Sequence, residues 1–132
     1  MATHAKAQQE RQNISSGGAY EDVFGYSRAV AKRGHIHVSG TCAPADFEGR
    51  SAYEQAKAAL KTISMALHAA GAELTDVVRT VVYVRDIADA DDVARAHLET
   101  FGSIRPASTL VQVTSMLRAW QLVEIEAYAL IG

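Results

Sequence analysis

The stretch Leu122-Val123-Glu124-Ile125-Glu126-Ala127-Tyr128-Ala129-Leu130-Ile131 constrains this chain more than any other. Read as a strand, its side chains alternate between two faces. Val123, Ile125, Ala127, Ala129 and Ile131 form one unbroken apolar face, as the core side of a sheet requires. Leu122, Glu124, Glu126, Tyr128 and Leu130 share the other. A solvated face has no use for Leu, Tyr and Leu beside its acids, so this second face is expected to be covered too. A carboxylate on a covered face needs partners, because unpaired buried charge is expensive. Glu124 and Glu126 are the first candidates for a functional site.

Upstream, Tyr26 to Ala31 and His35 to Gly40 read as strands around the turn Lys32-Arg33-Gly34. Ser51 with Glu54 three residues on is a capping box, and Tyr53, Ala56, Leu60, Ile63, Leu67 and Ala70 repeat at helical spacing. Gly71 stands where that helix needs a residue free to take positive φ. Val77 to Arg85, β-branched on both faces, reads as a central strand. Asp89 is expected to cap a second helix through Phe101, with Val93, Ala94, His97 and Phe101 facing inward and Gly102 closing it. Ser108 to Thr114 is one more strand before the last. Two helices cover only one face of so many strands. Self-association is the economical cover for the other, which holds Leu122, Tyr128, Leu130 and Leu110 or its neighbours.

At 132 residues the chain is expected to hold a polar N-terminal arm, 1–14, and one domain, 15–132. Thirteen Lys and Arg against 15 Asp and Glu give a net charge of −2, so no basic stripe argues for a nucleic-acid partner. No apolar run suits a signal peptide or a membrane span, and no membrane partner is expected. Cys42 is the single cysteine, which excludes an intramolecular disulfide and points to a reducing, cytoplasmic compartment. His35 and His37 share a strand face but have no third ligand at useful spacing, so no metal is expected. Gly17-Gly18 fits no phosphate-binding fingerprint.

Five blocks occur in order: Gly25-Tyr26-Ser27-Arg28-Ala29-Val30, Val38-Ser39-Gly40-Thr41, Asp76-Val77-Val78-Arg79-Thr80, Arg105-Pro106-Ala107-Ser108-Thr109 and Val123-Glu124-Ile125-Glu126-Ala127. Together they resemble the reactive intermediate deaminase (Rid, YjgF-like) family from about residue 19 onward. The resemblance implies an α+β, chorismate-mutase-like (ferredoxin-like) domain, a mixed six-stranded sheet with two helices on one face. It further implies a homotrimer with a central barrel and small-molecule clefts at the subunit boundaries. Enzymes of the family hydrolyse enamines and imines to 2-oxo acids and ammonia, without metal or cofactor.

Carried over residue by residue, Tyr26, Ser39 and Glu124 match the family's cleft residues. Ser108 stands where the pattern has its substrate-binding arginine, and Leu110 where many members have cysteine. A hydroxyl cannot reproduce a bidentate guanidinium–carboxylate pair. Arg105 and Arg28 are the alternative anion ligands, although Arg105 in a regular strand would point to the opposite face from Ser108. The reading is thus an imine deaminase of non-standard substrate. In it Glu124 positions a water, and Tyr26, Ser39 and backbone amides near Ala107 hold the ligand. The alternative is a non-catalytic trimer that binds a metabolite or protein partner in the same clefts. Ribonuclease activity is the weakest option, because the net charge of −2 offers RNA little to hold. Cys42 reads as a passive small residue, and Met116, Leu117 and Trp120 as a cleft wall or a barrel-end shield.

Overall fold

The alternating segment forms β6, Val123–Leu130, in the interior of a six-stranded sheet. The structure, a computed structural model, describes residues 10–132. Its other elements are β1 Gln12–Ile14, α1 Ala19–Phe24, β2 Ala29–Lys32, β3 His35–Thr41, α2 Ala52–Ala69, β4 Val77–Val84, α3 Ala90–Phe101 and β5 Ala107–Gln112. The strand order is β1-β2-β3-β6-β4-β5. Only β4 and β5 run parallel, joined by α3, because a parallel pair needs a crossover and a helix supplies it.

Helices α2 and α3 lie on the face that carries Ile36, Val38, Val82, Val84, Val123, Ile125, Ala127 and Ala129, all buried. Ser51 accepts from the Glu54 amide at 3.1 Å to start α2. Its end is closed by Gly71 at φ 83°, with the Ala72 amide reaching back to the Leu67 carbonyl at 2.9 Å. Between β2 and β3, Arg33 and Gly34 both take positive φ, the geometry of a two-residue hairpin turn that matches strand twist. Buried Gln55 ties the core to its rim. Its amide nitrogen donates to the carbonyls of Phe47, Arg50 and Trp120, and its oxygen accepts from the Leu122 amide at 3.0 Å.

Several expectations need correction. Within the arm expected over 1–14, residues 1–9 lie outside the described residues, but Gln12–Ile14 pairs with β2 and belongs to the sheet. The strand expected from Tyr26 starts only at Ala29, after α1, a short helix that carries no readable period. Asp89 makes no side-chain cap; Asp86 accepts from the Ala88 amide one turn earlier. Ala94 is exposed and Ala96 takes its inward place. Gly102 stays helical, and the left-handed residue that follows α3 is Arg105, at φ 56°. Leu110 packs against the helix-side core, leaving Thr109 and Val111 beside it on the open face.

Candidate functional site

The open face of the sheet carries Glu124 and Glu126 in different circumstances. Glu126 is held by two phenols, accepting from Tyr83 at 2.6 Å and from Tyr128 at 3.1 Å. The bond to Glu126 favours the protonated phenol and pushes the Tyr83 pKa up to about 12. Glu126 is therefore an acid bound within its own sheet face. Glu124 has no such tyrosine. It lines a cavity of about 310 Å³ with Gly40, Tyr83, Glu126 and the Val113 to Leu117 segment. Met116 and Leu117 form part of that wall, whereas Trp120 does not line it and gives its carbonyl to Gln55.

A break in the ladder makes room for Glu124. Between β3 and β6 the register shifts from Val38↔Ala127 to Thr41↔Ile125, a bulge at Ser39 and Gly40. The Glu124 carboxylate lies against Gly40 so closely that a Cβ there would collide with it. On its other side is Cys42, whose thiol pKa is pushed up to about 12, by burial first and then by the neighbouring Glu124 charge and hydrogen bond. A thiol with that pKa stays neutral and is an inert neighbour.

Three residues named above as candidate ligand contacts make hydrogen bonds at and around this bulge. Arg28, 8% exposed, donates to the Gly40 carbonyl and Thr41 hydroxyl at 2.8 and 2.9 Å. It also reaches the Tyr26 hydroxyl at 2.8 Å and Ser16 at 3.4 Å, with Glu21 4.0 Å away. With its donors committed in this way, Arg28 is no free anion ligand. Tyr26 accepts from it and packs edge-on against Phe24. Ser39 donates to the Ser27 carbonyl at 2.7 Å. Sequence reasoning missed the role of Arg28, because only the register places Gly40 over its guanidinium.

The segment at 105–108 lies elsewhere. Ala107 pairs with Arg79 on the open face, but Ser108 pairs with Thr80 on the helix face, opposite to Glu124. One protomer therefore does not bring Ser108 and Glu124 together. Ser108 accepts from Thr80 at 2.7 Å, and Thr80 lies 2.9 Å from His97 Nε2 of α3. The expected facing of Arg105 also fails: the chain there is left-handed, not extended, and Arg105 lines the same cavity as Ser108. His35 and His37 stack at 6.5 Å, and among the described residues no group of three or more His, Cys, Asp or Glu gathers as metal ligands do.

This arrangement has counterparts. Residues 18–131, from α1 through β6, match the family described as Endoribonuclease L-PSP. Over 126 residues the chain is 34% identical to human 2-iminobutanoate/2-iminopropanoate deaminase, covering 92% of this chain and 91% of that protein. It is 38% identical over 123 residues to an uncharacterized protein of Streptomyces coelicolor, covering 87% and 90%. The fold superposes with a TM-score of 0.87, at 42% identity, on a member of the YjgF/YER057c/UK114 family from Mycobacterium tuberculosis, covering 92% of this chain and 100% of that one. The α+β sheet with two helices on one face is thus the chorismate-mutase-like fold of these proteins, and the chain belongs to the YjgF-type reactive intermediate deaminase (Rid) family.

Proposed function

We propose that this protein hydrolyses a C=N bond, converting an enamine or imine to a carbonyl compound and ammonia, with Glu124 as the acid–base residue. One observation carries this reading. Of the two carboxylates on the open face, Glu126 is tied by two tyrosines while Glu124 faces a cavity beside a braced bulge. A carboxylate so placed takes a proton from water as the water oxygen bonds to the imine carbon. It gives that proton to the imine nitrogen, forming a carbinolamine, and then carries the carbinolamine hydroxyl proton to the same nitrogen as the C–N bond breaks and the carbonyl forms, the general acid–base role open to Glu. The identity with a named imine deaminase supports the reaction class.

The substrate differs from a simple 2-imino acid. Such a substrate carries its carboxylate beside the C=N carbon, and Ser108 offers one hydroxyl where the family pattern has a guanidinium. The assembly is a homotrimer that closes the open face, with the Glu124 cavities at the subunit boundaries. Support comes from Tyr83, Val111, Tyr128 and Leu130, which no helix covers in one protomer. A binding protein without catalysis is the second reading, favoured by the hydroxyls of Tyr26 and Ser39 being engaged by the protein itself.

The test generates imines in situ with an amino-acid oxidase and follows their loss, using neutral cyclic imines alongside. Neutral imines are expected to turn over faster than 2-imino acids, and Glu124→Gln to lower turnover about 10²–10⁴-fold. Unchanged turnover in that variant removes Glu124 from the mechanism. Absence of turnover on every imine, with the protein folded, moves the reading to the binding protein.

A further inference from the structure

We infer that Glu21 of α1 is a positioning residue for the chemistry at Glu124: it is the counter-charge that holds the Arg28 guanidinium on the Gly40 bulge and leaves the Glu124 carboxylate free. The inference rests on the deaminase reading, in which Glu124 carries the proton, and adds to it an acid from another part of the chain. Among the described residues, Glu21 and Arg28 are the charged side chains that are buried, at 4% and 8% exposure. A buried charge persists only with a partner, and a guanidinium stays charged at any ordinary pH.

The acceptors of Arg28 are the Gly40 carbonyl and the hydroxyls of Thr41, Tyr26 and Ser16, all neutral. Its anionic partner is Glu21, with Oε2 4.0 Å from the guanidinium. That oxygen is itself held by Ser16, whose hydroxyl donates at 2.5 Å and whose amide donates at 3.2 Å. Because the Ser16 hydroxyl also accepts from Arg28 Nε at 3.4 Å, it links the two charges. Burial pushes the Glu21 carboxyl up, but the hydrogen bonds from Ser16 and Ser15 and the Arg28 charge outweigh it and hold the carboxyl below its ordinary value. Glu21 is therefore ionised at neutral pH.

The polarity of α1 adds an independent observation. Val23 and Phe24 are 76% and 73% exposed, while Glu21 of the same six-residue helix is buried. A helix kept for packing alone does the reverse. This one gives its buried position to an acid beside Arg28. Gly40, to which Arg28 donates, also abuts the Glu124 carboxylate, and the Cys42 thiol feels the charges of both Glu124 and Arg28. The titratable and charged groups around Glu124 are thus Glu126 and Tyr83 along the cavity, Cys42, and Arg28 behind Gly40. With Glu21 ionised, the positive charge of Arg28 is answered within its own network. Without it, Glu124 across Gly40 is the carboxylate left to answer that charge, and a carboxylate engaged by a guanidinium is a weaker base.

Glu21→Gln tests this on imines generated in situ, because it keeps the side-chain length and the acceptor for Ser16 while removing the charge. Circular dichroism and light scattering at the assay temperature establish that the variant is folded and assembled as the wild type is. We expect kcat to fall roughly ten- to a hundredfold, the scale on which partners that orient a reacting group act, with KM within about twofold. The acid limb of kcat/KM should move to lower pH, the direction in which an unanswered guanidinium drives a neighbouring carboxylate. Glu21→Asp, which restores the charge, should recover most of the kcat and the wild-type limb. A folded Glu21→Gln protein with wild-type kcat and pH profile would overturn the inference, as would a Glu21→Asp variant no more active than Glu21→Gln. Ser16→Ala, at an exposed position, keeps both charges but removes the hydroxyl that links them, and should displace kcat and the limb in the same sense by a smaller factor. If Glu21→Gln does not fold, Ser16→Ala decides: a lowered kcat with a displaced limb supports the inference, and an unchanged kcat overturns it. Wild-type protein inactive on every imine removes the deaminase reading and this inference with it, whereas wild-type turnover that Glu21→Gln leaves unchanged removes this inference alone.

Discussion

At the scale of single residues, Gly40 governs the placement of Glu124. Its backbone is held from below by Arg28 and its missing side chain is filled from above by the Glu124 carboxylate. Gly40→Ala must displace one of them. We expect a destabilisation of about 1–3 kcal/mol, the ordinary cost of overpacking, together with a fall in imine turnover, measured by denaturant unfolding and the coupled imine assay. Full turnover at wild-type stability would mean that Glu124 moves aside without consequence. Half of this relation was legible beforehand, because Glu124 stood out from the alternation of its strand. The other half was not, since no property of Gly40 or Arg28 taken alone says that a bulge brings them together.

At the scale of elements, the clearest signals were those that local chemistry settles. Ser51 and Gly71 bracket α2 because a cap and a left-handed turn are satisfied within a few residues. Six residues of α1 span too few turns to show a period, and Ser108 shows the deeper limit. Alternation says which residues of a strand share a face, but not which face of the sheet that is; the pairing with Thr80 decides it. The same pairing gives α3 a titratable contact with the sheet through His97. Burial lowers the His97 pKa, so below about pH 6.5 the unfolded chain binds a proton that the folded chain resists. Stability then rises with pH between the lowered folded pKa and about 6.5, and this group leaves it level outside that window. His97→Gln, which keeps a donor for Thr80, should flatten the change of Tm between about pH 7 and 5. An unchanged slope would assign the acid sensitivity to other groups.

At the scale of the molecule, one layer of helices leaves half the sheet without cover. The open face mixes Tyr83, Tyr128, Val111 and Leu130 with two carboxylates, and Glu126 is already paired within it. Tyr128→Asp would set a second acid against Glu126 and remove one of its donors. If the proposed homotrimer closes this face, light scattering should then show its dissociation to monomer, or loss of the folded state. A stable Tyr128→Asp trimer would place the interface elsewhere on the surface.

The bulge at Ser39 and Gly40 has one more consequence. Because β6 alternates strictly, sliding it by one position against its neighbours would send Glu124 and Glu126 into the core and Ile125 and Ala127 to the cavity, an inversion with no partial form. A ladder of uniform rungs has little to resist such a slide except the hydrophobic pattern itself. An irregular rung, fitted to one carboxylate and pinned by one guanidinium, has a single matching position along β6. The same irregularity that opens space beside Glu124 therefore also indexes the sheet, so that single-residue insertions or deletions in β3 or β6 should be among the least tolerated changes in the chain.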